Sequence, residues 1–354
     1  MLKKVVSYAM GNDGYNKILF SVSSGLSKDG WAFTLLGGKD WRDGYIQGTE
    51  SEGYTWFASI AKRINDNHQL SLTAFGAPQW HNQRNNQNGL TIKEWQRVKQ
   101  YMGDDSPYKY NPTFGYRNGK AYNSSRNSYH KPQISLNHLW QIDHRSSLST
   151  ALYVSIGRGN GYSGTGDSEY RNKWYGASNG LVNNDFRRPD GTFDYDAVEA
   201  LNAESTTGSK MIMSKMMNDH MWYGLLSTYT TKFGEYFDFY GGIDVRYYKG
   251  LHQNVITDLF GGSYFVDSYN RKNVLAANNP VGGTPEYINE KLGVGDVVYR
   301  DYDGFVMYEG VFGQLEYNQD KLSAFVGVMI VCIIVKIKRN LPQRIIWQEM
   351  LRVV

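Results

Sequence analysis

A chain of 354 residues with 28 Tyr, 38 Gly, 9 Trp and only 8 Pro could hold two soluble domains or one large barrel. A mean hydropathy of −0.54 excludes a bundle of membrane-spanning helices, and a net charge of +4 without a dense Lys/Arg stripe argues against a nucleic-acid partner. Cys332 is the only cysteine, so neither a disulfide framework nor a Cys-based zinc site can form within the chain.

The first residues, Met1-Leu2-Lys3-Lys4, mimic the basic start of a signal peptide, but no apolar core follows. The chain therefore reads as an internal piece of a longer exported protein. From Lys17 onward the strand signals arrive in pairs. Residues 17–24 and 31–38 flank a Gly-bounded turn, 54–64 and 68–76 flank Asn65-Asp66-Asn67, and 132–142 and 147–157 flank Asp143–Ser146. The fourth pair, 222–248, is the clearest. Tyr223, Leu225, Tyr229 and Phe233 share one parity, and beyond Gly234-Glu235 so do Phe237, Phe239, Ile243, Val245 and Tyr247. A period of two puts alternate side chains on opposite faces of a strand. Each run has about a dozen residues, twice the usual strand length in soluble proteins. The fifth pair is 305–317 with 321–327.

Between the hairpins lie the intervals 39–53, 77–131, 158–221 and 249–304, so short turns alternate with long polar connections. In an up-and-down meander this sorting places every long connection at one rim, as in outer-membrane barrels. Compact soluble domains rarely carry repeated structureless loops of this length. The predicted fold is all-β: an antiparallel up-and-down transmembrane β-barrel, partial, of about ten strands, with long extracellular loops. Within the loops, Thr91 and Glu94 have capping-box spacing for a short helix over 91–98. The Gly-rich run 157–166 reads as a flexible loop, and 259–267 as a small local hairpin. Beyond Gly327 the alternation stops in Val328–Val335, an apolar run shorter than a spanning helix needs. The expected division is thus a barrel segment over 1–327 and an atypical tail over 328–354, from a frameshift or a misjoined gene end.

The runs Val6–Tyr15, Ser24–Trp31, Asn67–Pro78 and Gly310–Tyr317 resemble the barrel wall of TonB-dependent outer-membrane receptors of the SusC-like kind. The resemblance covers residues 5–327 and rests on the sum of many hairpins. Members of that family are barrels of about 22 strands with an N-terminal plug. The resemblance implies an outer-membrane transport protein that imports a bulky nutrient such as a glycan, a peptide or a metal chelate. It also implies contact with outer-membrane lipid and with TonB through a plug that this chain lacks, and a possible surface lipoprotein partner. The alternatives are a soluble carbohydrate-binding β-protein and, less favoured, a glycan-degrading enzyme.

No catalytic constellation emerges, so a non-enzyme without cofactor or metal is expected. The 7 histidines show no ligand spacing. Asp190, Asp194 and Asp196 do not match a calcium loop and read as turn residues. The loop rings Trp80, Trp95, Tyr101, Tyr108, Tyr110, Tyr116, Trp174 and Tyr175 sit among Asn and Gln, a mix that can stack on a sugar or hold a peptide. Loop-on-loop packing is the competing role for each. Trp31, Trp56, Trp140 and Trp222 lie at strand ends, where interfacial girdles are found.

Overall fold

A computed structural model describes residues 2–85, 89–274, 280–339 and 350–353 of the protein. Its first half holds β1 (Lys3–Met10), β2 (Asn16–Ser23), β3 (Trp31–Arg42), β4 (Ser51–Arg63), β5 (His68–Gly76) and β6 (Gln79–Asn82). Then come β7 (Phe114–Arg117), β8 (Lys120–Asn123), β9 (Arg126–His130), β10 (Gln133–Gln141) and β11 (Ser146–Gly166). The second half holds β12 (Ala177–Ser178), β13 (Leu181–Val182), β14 (Phe193–Asp194), β15 (Met211–Phe233), β16 (Phe237–Asp258), β17 (Val297–Gln319), β18 (Leu322–Arg339) and β19 (Met350–Val353). The helices are short: α1 (Ile92–Val98), α2 (Tyr195–Glu204), α3 (Ser268–Arg271) and α4 (Pro285–Ile288).

One 14-stranded sheet runs β1-β2-β3-β4-β5-β10-β11-β15-β16-β17-β18-β19, with β6 and β9 bridging β4 to β11. Every pairing in it is antiparallel. The connections therefore alternate between rims, and the short turns at 64–67, 142–145 and 234–236 share one rim. The meander is wider than the predicted ten strands because β1 and the tail also pair. β18 crosses position 328 in register with β17 as far as Tyr302↔Arg339. What changes there is the side-chain pattern, since Val326, Val328, Met329 and Ile330 are all exposed across both parities. Residues 340–349 lie outside the described residues.

Register carries the alternation across the wall. Phe33, Ile60, Leu72, Leu136, Leu152, Leu225 and Val245 form one row of directly paired positions. All are apolar and on one face, and Leu152 is 50% exposed. The row continues to Glu309 and Cys332, so a carboxylate interrupts the apolar face beside β18. Hydroxyls on this face satisfy one another: Thr150 bonds Ser227 at 2.8 Å and Ser146 bonds Thr231 at 2.9 Å. Trp31 and Trp41 bracket the face on β3, separated by about 33 Å of strand at 3.3 Å per residue. A tilt near 40° projects this to about 25 Å, the height of a lipid-facing apolar band. Trp31, Trp56 and Trp140 share the outward parity, as a girdle requires. Trp222 does not. It pairs with Tyr248 on the opposite face and packs edge-on against Tyr153 at 5.8 Å, because the outward parity of β15 belongs to Tyr223 and Leu225.

Among the described residues, the buried apolar side chains lie in the long connections or in the strand ends beneath them. The largest cluster joins Trp174, Phe193, Tyr195, Val198, Met211 and Phe260. A second surrounds Ile212, Ile256 and Phe265, and a third Val98, Tyr110 and Val182. The wall has no such core. It is a single layer whose apolar side stays open.

The strands reach further than the period-two runs suggest. β11, β15, β16 and β17 have 21, 23, 22 and 23 residues, taking in much of the intervals read as loops. The Gly-rich run 157–166 is strand, paired with β15 and β9. Its glycines admit large neighbours: a Cβ at Gly164 would lie 2.2 Å from the Trp174 ring, and one at Gly157 would lie 2.3 Å from His220. The expected hairpin over 259–267 is absent. Phe260 and Gly261 both take positive φ (47° and 81°), turning the chain so that Phe265 pairs with Leu292 instead.

Candidate functional site

The connections at the long-loop rim interlock into a cap. β14 pairs in parallel with β7, bringing the 167–210 connection against 77–132. The approach needs glycine: a Cβ at Gly115 would sit 1.9 Å from the Phe193 carbonyl oxygen. Arg117 reaches Glu199 on α2 at 2.7 Å and Asp258 at the end of β16 at 2.5 Å, with its guanidinium 4.0 Å above the Phe260 ring. Asn202, 2% exposed, donates to the Met211, Leu259 and Phe260 carbonyls and accepts from the Lys210 and Met211 amides. A buried amide so fully satisfied fixes three segments at once.

The three aspartates that hinted at calcium serve this architecture. Asp190 accepts from Thr192, Asp194 caps α2 through the Ala197 amide, and Arg188 bridges Asp194 and Asp196. The helix expected over 91–98 forms as α1. Thr91 Oγ1 accepts from the Glu94 amide, but the Glu94 carboxylate turns to Arg97 at 2.6 Å and to the Val182 amide at 2.9 Å. The capping box is therefore half made.

That carboxylate gives a pH prediction. Hydrogen bonding from Arg97, then from Val182, holds Glu94 below its ordinary value near 4.5. A depressed carboxylate contributes stability above that value and loses it as pH falls through the folded-state pKa. Acidification below about pH 4 should loosen the α1 segment, seen as a shift in Trp95 fluorescence. Glu94→Gln should abolish the transition, and an unchanged transition in that variant would refute the assignment.

The cap borders an open cavity of about 630 Å³ at the rim, over the face opposite the apolar band. Arg42, His81, Asn82, Gln83, Arg84 and Trp95 line it, with Asn12, Asp13 and Tyr45 across from them. Arg42 and Ser51 bond at 2.8 Å, and Ser51 pairs with His81, which sets these side chains inward. Arg84 donates to the Tyr108 and Tyr110 carbonyls at 2.8 and 3.1 Å and stacks 5.0 Å from Trp95. It has no carboxylate partner among the described residues, and burial lowers its pKa. A half-buried cation without a counter-ion beside amides and a ring suits an oxygen-rich or anionic ligand.

The ring candidates divide. Trp95 lines the cavity; Tyr108, 59% exposed, lies 5.5 Å from it, and Tyr101 packs 5.6 Å from Tyr110. Tyr110 is 1% exposed, and its hydroxyl, pushed up to about 12 by burial, donates to the Gly191 carbonyl. Trp174, 2% exposed, packs in the main cluster. Trp80 points to the outward face, Tyr116 sits apart on β7 against Phe114, and the side chain of Tyr175 lies outside the described residues. Sequence reasoning passed over Arg42, Arg84 and His81. The Asn/Gln-rich run from Trp80 to Gly89 was the signal that pointed near them. His68 and His138, read from the sequence as histidines without ligand spacing, stack at 5.3 Å on the outward face.

No family model matches the sequence and no curated protein does. Solved structures do. The ferric citrate transporter FecA aligns over 100% of this chain and 40% of its own, at 9% identity and a TM-score of 0.59. The outer-membrane ferripyoverdine receptor of Pseudomonas aeruginosa aligns over 99% and 39%, at 13% identity and 0.57. The copper transporter OprC aligns over 100% and 41%, at 10% identity and 0.57. The fold is that of the TonB-dependent receptor barrel. The receptor-barrel neighbours are transport proteins and not enzymes. This chain spans about 40% of their length and follows their wall as an open sheet.

Proposed function

We propose that the chain is a wall-and-cap segment of a TonB-dependent outer-membrane import receptor, one that admits a bulky nutrient without chemical conversion. The observation that carries this reading is the placement of the core. Apolar side chains are buried in the cap and left open on one face of the wall, an arrangement that only lipid completes. The capturing surface is the rim cavity, with Arg84 and Arg42 as cations, Trp95 and Tyr108 as rings, and His81, Asn82 and Gln83 as orienting polar groups. Such a surface suits a glycan, a peptide or a metal chelate. The SusC-like resemblance favours the glycan and brings with it a surface lipoprotein partner and contact with TonB through a plug. The tail over 328–354 is read as a frameshifted or misjoined end; an alternating strand in another reading frame of its DNA supports that, and none in any frame ends it.

The test is a detergent and vesicle requirement. The folded chain should float with phospholipid vesicles and resist urea extraction. A monodisperse, folded chain in plain buffer would refute the transporter reading and favour a soluble carbohydrate-binding protein.

A further inference from the structure

On β15, β16 and β17 three polar side chains pair directly across the face opposite the apolar band: Asn218 with His252, and His252 with Tyr302. They share the parity of Trp222 and Tyr248. Arg300 precedes Tyr302 by two residues, where β17 slips register against β16, and its guanidinium lies 5.4 Å from the Tyr302 ring. Asn218 Oδ1 and His252 Nδ1 are 2.8 Å apart, and both face Arg300 Nη2, at 2.8 and 2.9 Å. A guanidinium nitrogen only donates, so both atoms accept, and the proton of a neutral His252 is on Nε2. Arg300 Nε is buried without a hydrogen-bond partner, and the guanidinium makes no ion pair with a described carboxylate. Asp301 and Asp303 alternate with Tyr302 onto the other face, where Gln253 holds the first at 3.1 Å and Lys249 the second at 3.4 Å.

Beside this group the wall has a glycine floor, for Gly250 pairs with Gly304. A Cβ at Gly304 would meet nothing within 4 Å, and one at Gly250 would lie 3.1 Å from both His252 Nε2 and the Tyr248 hydroxyl. Two donors thus flank one notch, and the His252 and Tyr302 rings stack at 4.7 Å along its edge. An N–H, an O–H, a cation and flat rings, with the nearest carboxylates turned away, suit an anionic sugar. The rim cavity has the same make-up in Arg84, Arg42 and Trp95. We propose that the notch binds the carboxylate of a uronate unit in an acidic glycan. His252 Nε2 and the Tyr248 hydroxyl donate to it, and the sugar ring lies over Gly250 and Gly304. Arg300 supplies the positive charge and holds the His252 tautomer. The inference rests on the import reading above and narrows its cargo.

The full chain, folded in neutral detergent micelles, is offered a diazirine-bearing trigalacturonate or its methyl ester and photolysed; labelled peptides are mapped by mass spectrometry. Wild type should be labelled across 248–252 and 302–306 about tenfold more by the acid than by the ester, as one charge-assisted hydrogen bond implies. Gly304→Leu, whose Cβ has open space around it, and Arg300→Gln should both lose that labelling and keep that of the Trp95 peptide in the rim cavity. Equal labelling of the notch by acid and ester overturns the proposal without any variant, as does undiminished notch labelling in Gly304→Leu. Displacement of the acid by an equal concentration of inorganic phosphate assigns a general anion site and also overturns it. Flotation with neutral phospholipid vesicles reads the import assignment separately: a chain that floats but takes no label in the notch loses only this inference, and one that does not float loses both.

Discussion

Leu152→Arg is expected to destabilise the membrane-inserted wall by about 2–4 kcal/mol. Leu152 sits mid-row, with Leu136 on one side and Leu225 on the other, and half of its surface is open. On a soluble protein, a substitution at so exposed a position changes stability by no more than about 0.5 kcal/mol. In lipid the guanidinium has no partner within reach, and the cost is that of a cation at the bilayer midplane. Urea titration of the chain folded into vesicles, wild type against variant, separates the two cases. A shift within error would mean that the row faces water. Thr150, one pair below, makes a useful control, because its hydroxyl is already satisfied by Ser227.

The second large effect belongs to the cap. Trp174→Ala should cost about 3–5 kcal/mol, as truncating a buried aromatic does. The ring lies 5.1 Å from Phe260 and parallel to Phe193, rests on Gly164, and donates from Nε1 to the Thr165 carbonyl at 2.8 Å. Phe193 and Phe260 belong to the cap, and Gly164 and Thr165 to the rim end of β11, above the apolar band. Hydrogen exchange should therefore rise in 167–210 and 259–296 while β1–β5 stay protected. Equal protection in variant and wild type would show that Trp174 contributes no packing and return it to the surface as a ligand-facing ring.

How far the sequence alone could be read depends on what each side chain meets. Where one face of a strand meets lipid and the other water, parity is unmixed. The run from Tyr223 to Tyr247 accordingly gave its hairpin and its outward face correctly. Where strands rise under the cap, both faces are covered, and the period disappears: Met211, Ile212 and Met213 are consecutive and all buried. Glycine misled for a related reason. Gly157 and Gly164 looked like loop residues, yet they are strand positions kept small by rings lying across them. Trp222 looked like its neighbours at strand ends, but a single step in parity sends it to the other face. In the candidate site, the Asn/Gln-rich run marked the right stretch. Its partners Arg42 and Asn12 come from the end of β3 and the β1–β2 turn, and only the sheet order brings them there.

The cap's main cluster also constrains the order of assembly. Its members run from Tyr122 through Trp174 and Tyr195 to Phe260, drawn from three different long connections between wall strands. Contacts so distant along the chain carry a large closure cost until β11, β15 and β16 already lie side by side. The extracellular segments must then travel across the bilayer separately and uncompacted, and condense only after the last of those three strands has zipped into place.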